Sequence, residues 1–159
     1  MNQPAARLAT HADIPALVRL INAAYQVEQF FIHGERTTDR DIRTRLDTAG
    51  AMFLVIDGVE GGLAAAILVE IRGERGYFGM LSVDPARQKE GLGGLLVREA
   101  EARCIAAGCR VMDIVVVNLR NELPPYYERL GYRTSGTQPF HSPEKLKQPA
   151  HLVLMSKPL

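Results

Sequence analysis

The sequence has no tryptophan and only two cysteines, Cys104 and Cys109, among its 159 residues. Two cysteines are too few for a disulfide scaffold, and these two form no Cys-x-x-Cys pair. We therefore expect free thiols in a core or at a helix end, which favours a reducing compartment. The longest mostly apolar run, 61–69, is far shorter than the roughly 20 residues that span a bilayer. The N-terminus also lacks the basic segment and apolar run of a signal peptide, so the sequence predicts a cytoplasmic protein without a membrane partner.

An excess of charge of either sign is also lacking. Lysines and arginines number 19 and aspartates and glutamates 18, for a formal charge of +1. A protein that binds nucleic acid through bulk charge would be clearly basic, so nucleic acid is not an expected partner. The four histidines show neither a His-x-His nor an HExxH spacing, so no metal site is predicted. The 47% hydrophobic and 23% charged residues are typical of a globular protein, and the length suits one domain over 1–159.

Hydrophobic periodicity divides the chain into helices and strands in a mixed order. Helices are predicted over 12–25, 38–49, 91–107 and 122–130, and strands over 51–56, 63–71, 77–83, 111–117, 132–137 and 151–156. Short polar turns separate the first three strands, which predicts an antiparallel meander. The strand, helix and strand within 77–117 form a βαβ unit, which predicts a parallel pair. The predicted fold class is therefore α/β, with a mixed central sheet and helices on both faces.

The segment that joins the third strand to the long helix is rich in glycine. Glycines let backbone N–H groups approach an anion closely, and the helix that follows adds unpaired donors and the positive end of its dipole. The segment is thus built like a diphosphate cradle, although glycine spacing alone fits a simple turn equally well. A P-loop is excluded because no Gly-Lys-Ser/Thr follows. A dinucleotide fingerprint would need glycine in place of Leu96, and Asp113 lies near the start of its strand instead of at the end, where a ribose-binding acid belongs.

A different pattern fits, Gln/Arg-x-x-Gly-x-Gly/Ala, which is present as Gln88-Lys89-Glu90-Gly91-Leu92-Gly93. Here the sequence resembles the GNAT superfamily of N-acetyltransferases, whose motif of this form binds the pyrophosphate of acetyl-CoA. Leu81-Ser82-Val83-Asp84-Pro85 is similar to the family's strand that leads into the loop. Tyr126-Tyr127-Glu128-Arg129-Leu130-Gly131-Tyr132 is similar to its late Phe/Leu-Tyr-x-x-x-Gly-Phe motif. The resemblance covers nearly the whole chain from Thr10.

The resemblance implies a cofactor site and a general acid. The strands at 77–83 and 111–117, the family's fourth and fifth, are expected to splay apart and free main-chain groups for the pantetheine. Tyr127 corresponds to the family's general acid, a phenol that protonates the leaving thiolate. The residues expected to bind acetyl-CoA are Leu81, Ser82, Val83, Gln88, Lys89, Glu90, Gly91, Leu92, Gly93, Gly94, Asn118 and Tyr127.

Two residues of the loop differ from the family pattern, and one family residue has two possible counterparts in this sequence. Lys89 stands where many members have glycine. Gln88 replaces the commoner arginine, so its contact with phosphate is expected to be neutral and partly through the main chain. The asparagine that often follows the fifth strand corresponds to Asn118 or to Asn121.

The general base is predicted from fewer signals. The family often places a glutamate on its fourth strand or uses a water relay, but no carboxylate stands near Tyr77 and Phe78. Glu70, on the preceding strand, is the catalytic candidate that we assign. Glu28, after the first helix, and His141, in the late loop, are the alternatives.

The acceptor site is expected in the connection between the first two helices, which lines that site in the family. This connection places three aromatic residues beside charges of both signs. Glu28 is expected to bind a cationic amine and Arg36 an anionic group. Phe31 either contacts the acceptor or packs in the core.

The resemblance predicts an enzyme that transfers an acetyl group from acetyl-CoA to a primary amine of a small molecule or peptide. A non-catalytic CoA-binding or regulatory module with the same fold is the main alternative, and the missing strand-four carboxylate favours it slightly. A nucleotide-binding oxidoreductase is a third reading, disfavoured by Leu96 and Asp113. Acetyl-CoA and an amine are the expected partners, and a homodimer is common in the family.

Overall fold

The computed structural model describes residues 4–159. The strands are β1 (Ala6–Leu8), β2 (Ala51–Asp57), β3 (Leu63–Arg72), β4 (Arg75–Val83), β5 (Val111–Val117), β6 (Arg133–Pro139) and β7 (His151–Pro158). The α-helices are α1 (Ile14–Ala24), α2 (Asp39–Leu46), α3 (Leu92–Ala106) and α4 (Leu123–Arg129). Over the same residues, every helix is too short or too polar to cross a membrane.

The strands form one mixed sheet in the order β1-β2-β3-β4-β5-β7-β6. β4 and β5 are parallel, and the other neighbouring strands are antiparallel, which confirms the predicted sheet. The hydrophobic pattern did not predict β1. Its three residues are too few to show an alternation, and it exists because Ala6 pairs with Ile56 and Leu8 with Leu54 at the edge of the sheet.

Helices cover both faces of the sheet, as predicted. On one face, Leu17 of α1 and Ile42 of α2 are buried against Phe53 of β2. On the other face, Leu96 of α3 is buried in a cluster with Met112 of β5. Burying one such side chain contributes roughly 1.5–3 kcal/mol. The two clusters therefore hold α1 and α3 firmly on opposite faces, and these helices position the segments that form the site.

The helix predicted over 38–49 begins as expected and ends early. The Thr38 hydroxyl oxygen accepts the Asp41 N–H at 3.1 Å, which caps the first turn of α2. The sequence offers Gly50 as a residue that can cap this helix, but the helix ends at Leu46, four residues earlier, and Gly50 does not cap it. Gly50 instead leads into β2, where its carbonyl accepts the Ile71 N–H at 2.8 Å.

The two cysteines are free and buried, which confirms the expectation of free thiols. Cys104 lies in the last turns of α3 and Cys109 just before β5. Burial raises the pKa of Cys104 to about 12, so its thiol stays neutral in the core.

Candidate active site

β4 and β5 pair only at their first residues and then separate. The pairing runs from Arg75 opposite Val111 to Tyr77 opposite Asp113. Beyond that point β4 continues to Val83 without β5 as a neighbour. Backbone groups on that side of β4 are therefore open to a ligand, in the splayed geometry that the resemblance predicted.

A bulge in β4 accompanies the separation. Ala66 of β3 lies opposite Ser82 and Leu68 lies opposite Gly79, so β4 has one residue more than β3 over this stretch. Met80, inside the bulge, has a φ of +51°, a left-handed value that side chains other than glycine rarely adopt. Its side chain is buried in the cluster under α1. Packing against that cluster therefore holds a backbone conformation that the local sequence would not choose.

Two neighbouring cavities, which share part of their walls, open where the strands separate. The first, which we call the α3 cavity, has a volume of about 540 Å³ and lies between the loop before α3 and α4. The second, which we call the sheet cavity, has a volume of about 330 Å³ and lies among the splayed strands, the connection between α1 and α2, and the β6–β7 loop. Both are lined by Tyr25, Leu81, Leu123 and Tyr127.

Glycine is favoured at two positions at the start of α3 for different structural reasons. Gly91 is the residue before the helix and has a φ of +83°, which glycine adopts without strain. It offers no side chain to cap the first turn, so the N–H donors of that turn lack a capping partner, and Gly91, Leu92, Gly93 and Gly94 line the α3 cavity. Gly93 leaves room for Tyr126, because a methyl group there would lie only 3.3 Å from the Tyr126 hydroxyl oxygen and the phenol would have to shift slightly. Lys89 has a φ of +74°, which explains why glycine is common at this position in the family.

Tyr127 stands where the two cavities meet. Its ring is largely buried among aromatic rings, with centroids 5.0 Å from Tyr126 and 5.9 Å from Phe78. Burial raises the pKa of Tyr127 well above its usual range, so the phenol stays protonated at neutral pH. Among residues 4–159 the hydroxyl has no hydrogen-bond partner and is not sealed from the cavities, so it is available to a ligand.

Glu28 and Arg120 join the walls of the two cavities. Arg120 Nη1 donates to Glu28 Oε2 at 2.7 Å, and its Nε donates to Glu122 at 2.9 Å. Burial raises the pKa of Glu28, and the charge of Arg120 opposes this rise. A carboxylate with a raised pKa in the sheet cavity is suited to accept a proton.

Tyr77 fills the part of the sheet cavity beside β4. A methyl group at Gly79 would lie 2.5 Å from the Tyr77 hydroxyl oxygen, so the phenol lies directly over this glycine. The Arg72 guanidinium covers the ring, with Cζ 4.4 Å from the ring centre. The β4 wall of the sheet cavity thus presents a phenol and no carboxylate.

Most of the residues predicted from the sequence line one of the two cavities. In the α3 cavity are Leu81, Val83, Gln88, Lys89, Gly91, Leu92, Gly93, Gly94 and Tyr127, and in the sheet cavity are Glu28 and Arg36.

Five predicted residues lie outside the cavity linings. The Ser82 hydroxyl donates to the Met80 carbonyl, Glu90 pairs with Arg87, and the Asn118 side chain accepts the His151 N–H. Two more were assigned to catalysis or the acceptor. Glu70 forms ion pairs with Arg72 and Arg45, and Phe31 is fully buried and packs on Phe30.

Sequence reasoning missed several cavity residues. Tyr126 stands beside Tyr127 in the late motif, and that motif could have indicated it. Tyr25 is one of the three aromatic residues noted after the first helix, but it was given no role. Arg120 carries no local signal, because its position depends on contacts between distant segments. The cavity residues not assigned from the sequence include Tyr25, Tyr77, Arg120, Leu123, Tyr126 and Arg129.

The model of the acetyltransferase (GNAT) domain matches residues 21–142, more than half of the chain. An acetyltransferase of Yersinia enterocolitica is 29% identical over 99 residues, which are 62% of this chain and 70% of that protein. The chain belongs to the GNAT acetyltransferase family.

Solved structures share the fold at low sequence identity. A GNAT superfamily phosphinothricin acetyltransferase from Sinorhizobium meliloti, in complex with AcCoA, has a TM-score of 0.78 at 16% identity and covers 99% of this chain and 89% of that chain. The ribosomal-protein-alanine N-acetyltransferase from Brucella melitensis has a TM-score of 0.78 at 18% identity, with coverages of 98% and 99%. Both confirm the predicted mixed α/β fold.

Proposed function

We propose that the chain transfers an acetyl group from acetyl-CoA to a primary amine of a small molecule or peptide. One observation carries this proposal: the Tyr127 hydroxyl lies where the α3 cavity meets the sheet cavity. Amide formation from a thioester needs a proton donor at such a junction, with the cofactor on one side and the amine on the other. Both cavities draw on elements from α1 to β7, so one domain over the whole chain performs the reaction.

The first turn of α3 is the proposed diphosphate site. Its residues line the α3 cavity, its N–H donors have no side-chain cap, and the helix dipole adds partial positive charge at the same place. Lys89 and Arg129 line this cavity and bring two full positive charges. The site thus combines main-chain donors with a few cations, which suits an anionic cofactor in a protein of formal charge +1.

The proposed reaction gives separate roles to the β4 backbone and to Tyr127. Acetyl-CoA supplies the acetyl group as a thioester, whose sulfur leaves when the amine nitrogen bonds the carbonyl carbon. Backbone groups of β4 near Leu81, unpaired with β5, are proposed to hold and polarise that carbonyl. Tyr127 donates its proton to the departing sulfur.

Glu28 is proposed to take the proton that the amine loses. It lines the sheet cavity, and burial keeps its pKa above the ordinary value of a carboxyl group. Glu70 stays a prediction from the sequence, and its ion pairs with Arg72 and Arg45 outside the cavity lining do not support it. Glu28→Gln should therefore lower kcat/KM by at least about tenfold, with a changed pH profile, while Glu70→Gln should not.

Two measurements on the purified full chain test the proposed function. Acetyl-CoA and CoA should raise the Tm, and NAD should not, because only the former match the α3 cavity. A panel of amines should then release free thiol from acetyl-CoA. Stabilisation by NAD without stabilisation by CoA would contradict the proposal.

A non-catalytic CoA-binding module is the second candidate, and one observation favours it. The β4 wall of the sheet cavity presents Tyr77 and Gly79 and no carboxylate. Stabilisation by CoA with no thiol release from any amine would support this module over the enzyme.

A further inference from the structure

Arg36 brings a positive charge into the sheet cavity without a carboxylate partner among the described residues, 4–159. Its guanidinium contacts the Tyr25 ring, with Cζ 5.1 Å from the ring centre. This contact holds the Arg36 guanidinium against Tyr25, one of the residues that line both cavities. An arginine held in this way keeps its hydrogen-bond donors free for a ligand.

The charge of Arg36 acts on groups from three walls of the sheet cavity. Burial raises the pKa of Tyr77 on β4, and Arg36 opposes this rise. Burial also raises the pKa of Glu28, where Arg120 and then Arg36 oppose it. On the β6–β7 loop, burial lowers the pKa of His141 and Arg36 lowers it further. Arg36 therefore lines the sheet cavity close enough to act on all three walls, although its side chain also reaches solvent.

Lys145 brings a second positive charge to the same cavity. Two contacts hold its loop against the connection between α1 and α2: a β-bridge between Ile32 and Leu146, and a 2.8 Å hydrogen bond from the His33 N–H to the Lys145 carbonyl. Within the described part of the chain, Lys145 also lacks a carboxylate at ion-pair distance. The two cations thus line one cavity from segments that are joined to each other, and both lower the pKa of His141.

The carboxylates of the sheet cavity do not neutralise the positive charges of Arg36 and Lys145. Glu28 is engaged by Arg120 at 2.7 Å. Glu35 lines the cavity and forms no ion pair with Arg36 or Lys145. The cavity therefore offers carboxylates for an amino group and, separately, two unengaged cations.

We propose that the acceptor is a small amine that also carries an oxyanion, bound by Arg36 and Lys145, with its amino group toward Glu28 and Tyr127. This inference rests on the proposed function and names its substrate class. A guanidinium fork binds a carboxylate or a phosphorus oxyanion through two parallel hydrogen bonds, and lysine adds a point charge. The volume of about 330 Å³ is at the lower end for ligand pockets and fits a small zwitterion. Polyamines would meet repulsion from both cations.

Matched acceptors test the inference directly. Thiol release is measured with amino acids and aminoalkyl phosphonates, each against the amine of the same skeleton without its acidic group. We expect kcat/KM to be at least about tenfold higher for one or both oxyanion classes, which corresponds to about 1.4 kcal/mol. The two arms also show whether a carboxylate or a phosphonate is preferred.

Variants test whether the preference for anionic acceptors depends on Arg36. Arg36→Gln should raise the KM for the anionic acceptor at least about tenfold, change the neutral counterpart by less than about twofold, and leave kcat nearly unchanged. Arg36→Lys should restore part of the loss. Arg40→Gln is the control, because it removes an exposed arginine of α2 that lines neither cavity.

A binding measurement separates this inference from the proposed function. With CoA present, the anionic amines should raise the Tm of the wild-type chain and not that of Arg36→Gln. If this occurs without thiol release from any amine, the proposed catalysis fails and the acceptor class stands. Equal responses to anionic and neutral amines, no response to either, or a preference for polyamines would overturn the inference.

Discussion

Arg120 Nη1 lies 2.7 Å from Glu28 Oε2, and this ion pair joins the segment after β5 to the segment after α1. Both side chains are largely buried, with 15% and 8% of their surface exposed. Removing one partner leaves the other charge buried and unpaired. Arg120→Met is therefore expected to lower the free energy of unfolding by about 3 kcal/mol, as measured by chemical denaturation.

The matched control removes both charges. Glu28→Gln combined with Arg120→Met should recover at least half of the lost stability, because no unpaired charge then remains. A double variant as unstable as Arg120→Met alone would show that the pairing contributes little.

Gly79→Ala tests the contact of Tyr77 with β4. The new methyl group would lie 2.5 Å from the Tyr77 hydroxyl oxygen, so the phenol has to leave its place under Arg72. We expect a loss of about 1–3 kcal/mol in stability and a higher KM for the acceptor. The double variant with Tyr77→Ala removes the clash and should recover stability. If Gly79→Ala alone is neutral in both measurements, the close contact is wrong.

Lys89→Gly and Gly91→Ala form a matched pair in the loop before α3. Both positions have positive φ values, +74° and +83°. A left-handed backbone costs a side-chain residue about 1–2 kcal/mol, part of which glycine loses again as chain entropy. Lys89→Gly should therefore raise the free energy of unfolding by up to about 1 kcal/mol. Gly91→Ala should lower it by about 1 kcal/mol and weaken acetyl-CoA binding, although a methyl group there has open space. A loss of stability in Lys89→Gly together with a gain in Gly91→Ala would contradict the positive φ values at these two positions.

Arg7 links β1 to β2 and is expected to make stability depend on pH. Its hydrogen bonds lower the pKa of Asp13 and of Asp57 below the usual value of an aspartate. A carboxylate with a lower pKa in the folded state stabilises the protein above its unfolded pKa, about 4, and this contribution is lost as the pH falls through the folded pKa. Arg7→Met should cost about 1 kcal/mol at pH 7, a value reduced for solvent exposure.

The difference between Arg7→Met and wild type should shrink steadily below pH 4 and vanish near pH 2, in the range expected for these aspartates. Arg40→Met, at an exposed position on α2, should show no such dependence. A stability difference that stays constant with pH would mean that the two aspartates do not stabilise β1 through Arg7.

The regular elements could be predicted because their signals are local. The long helix shows a 3.6-residue apolar pattern up to Gly108, and β5 is an almost wholly apolar run, so the predicted bounds of both lie within a residue of the observed ones. β1 could not be predicted, because its three residues are a strand only through their pairing with β2. Likewise, Met80 has a positive φ that its own residue type disfavours, and only burial under α1 explains it.

The candidate site could be predicted in part. The loop before α3 and Tyr127 carry family motifs, and the structure places them on the two cavities that share Tyr127. The pairing of Glu28 with Arg120 could not be predicted, since 92 residues separate them and each is ordinary in its own segment. Glu70 was chosen from its strand alone, and the arginines that engage it come from β3 itself and from α2.

The central claim is that Tyr127 protonates the leaving sulfur at the junction of the two cavities, and Tyr127→Phe tests it most directly. Steady-state thiol release is compared with the Kd for acetyl-CoA in this variant and in Tyr126→Phe, whose ring borders only the α3 cavity. We predict that Tyr127→Phe lowers kcat by at least about 100-fold with a Kd within about twofold of wild type, and that Tyr126→Phe keeps kcat within about threefold. An unchanged kcat in Tyr127→Phe would contradict the claim.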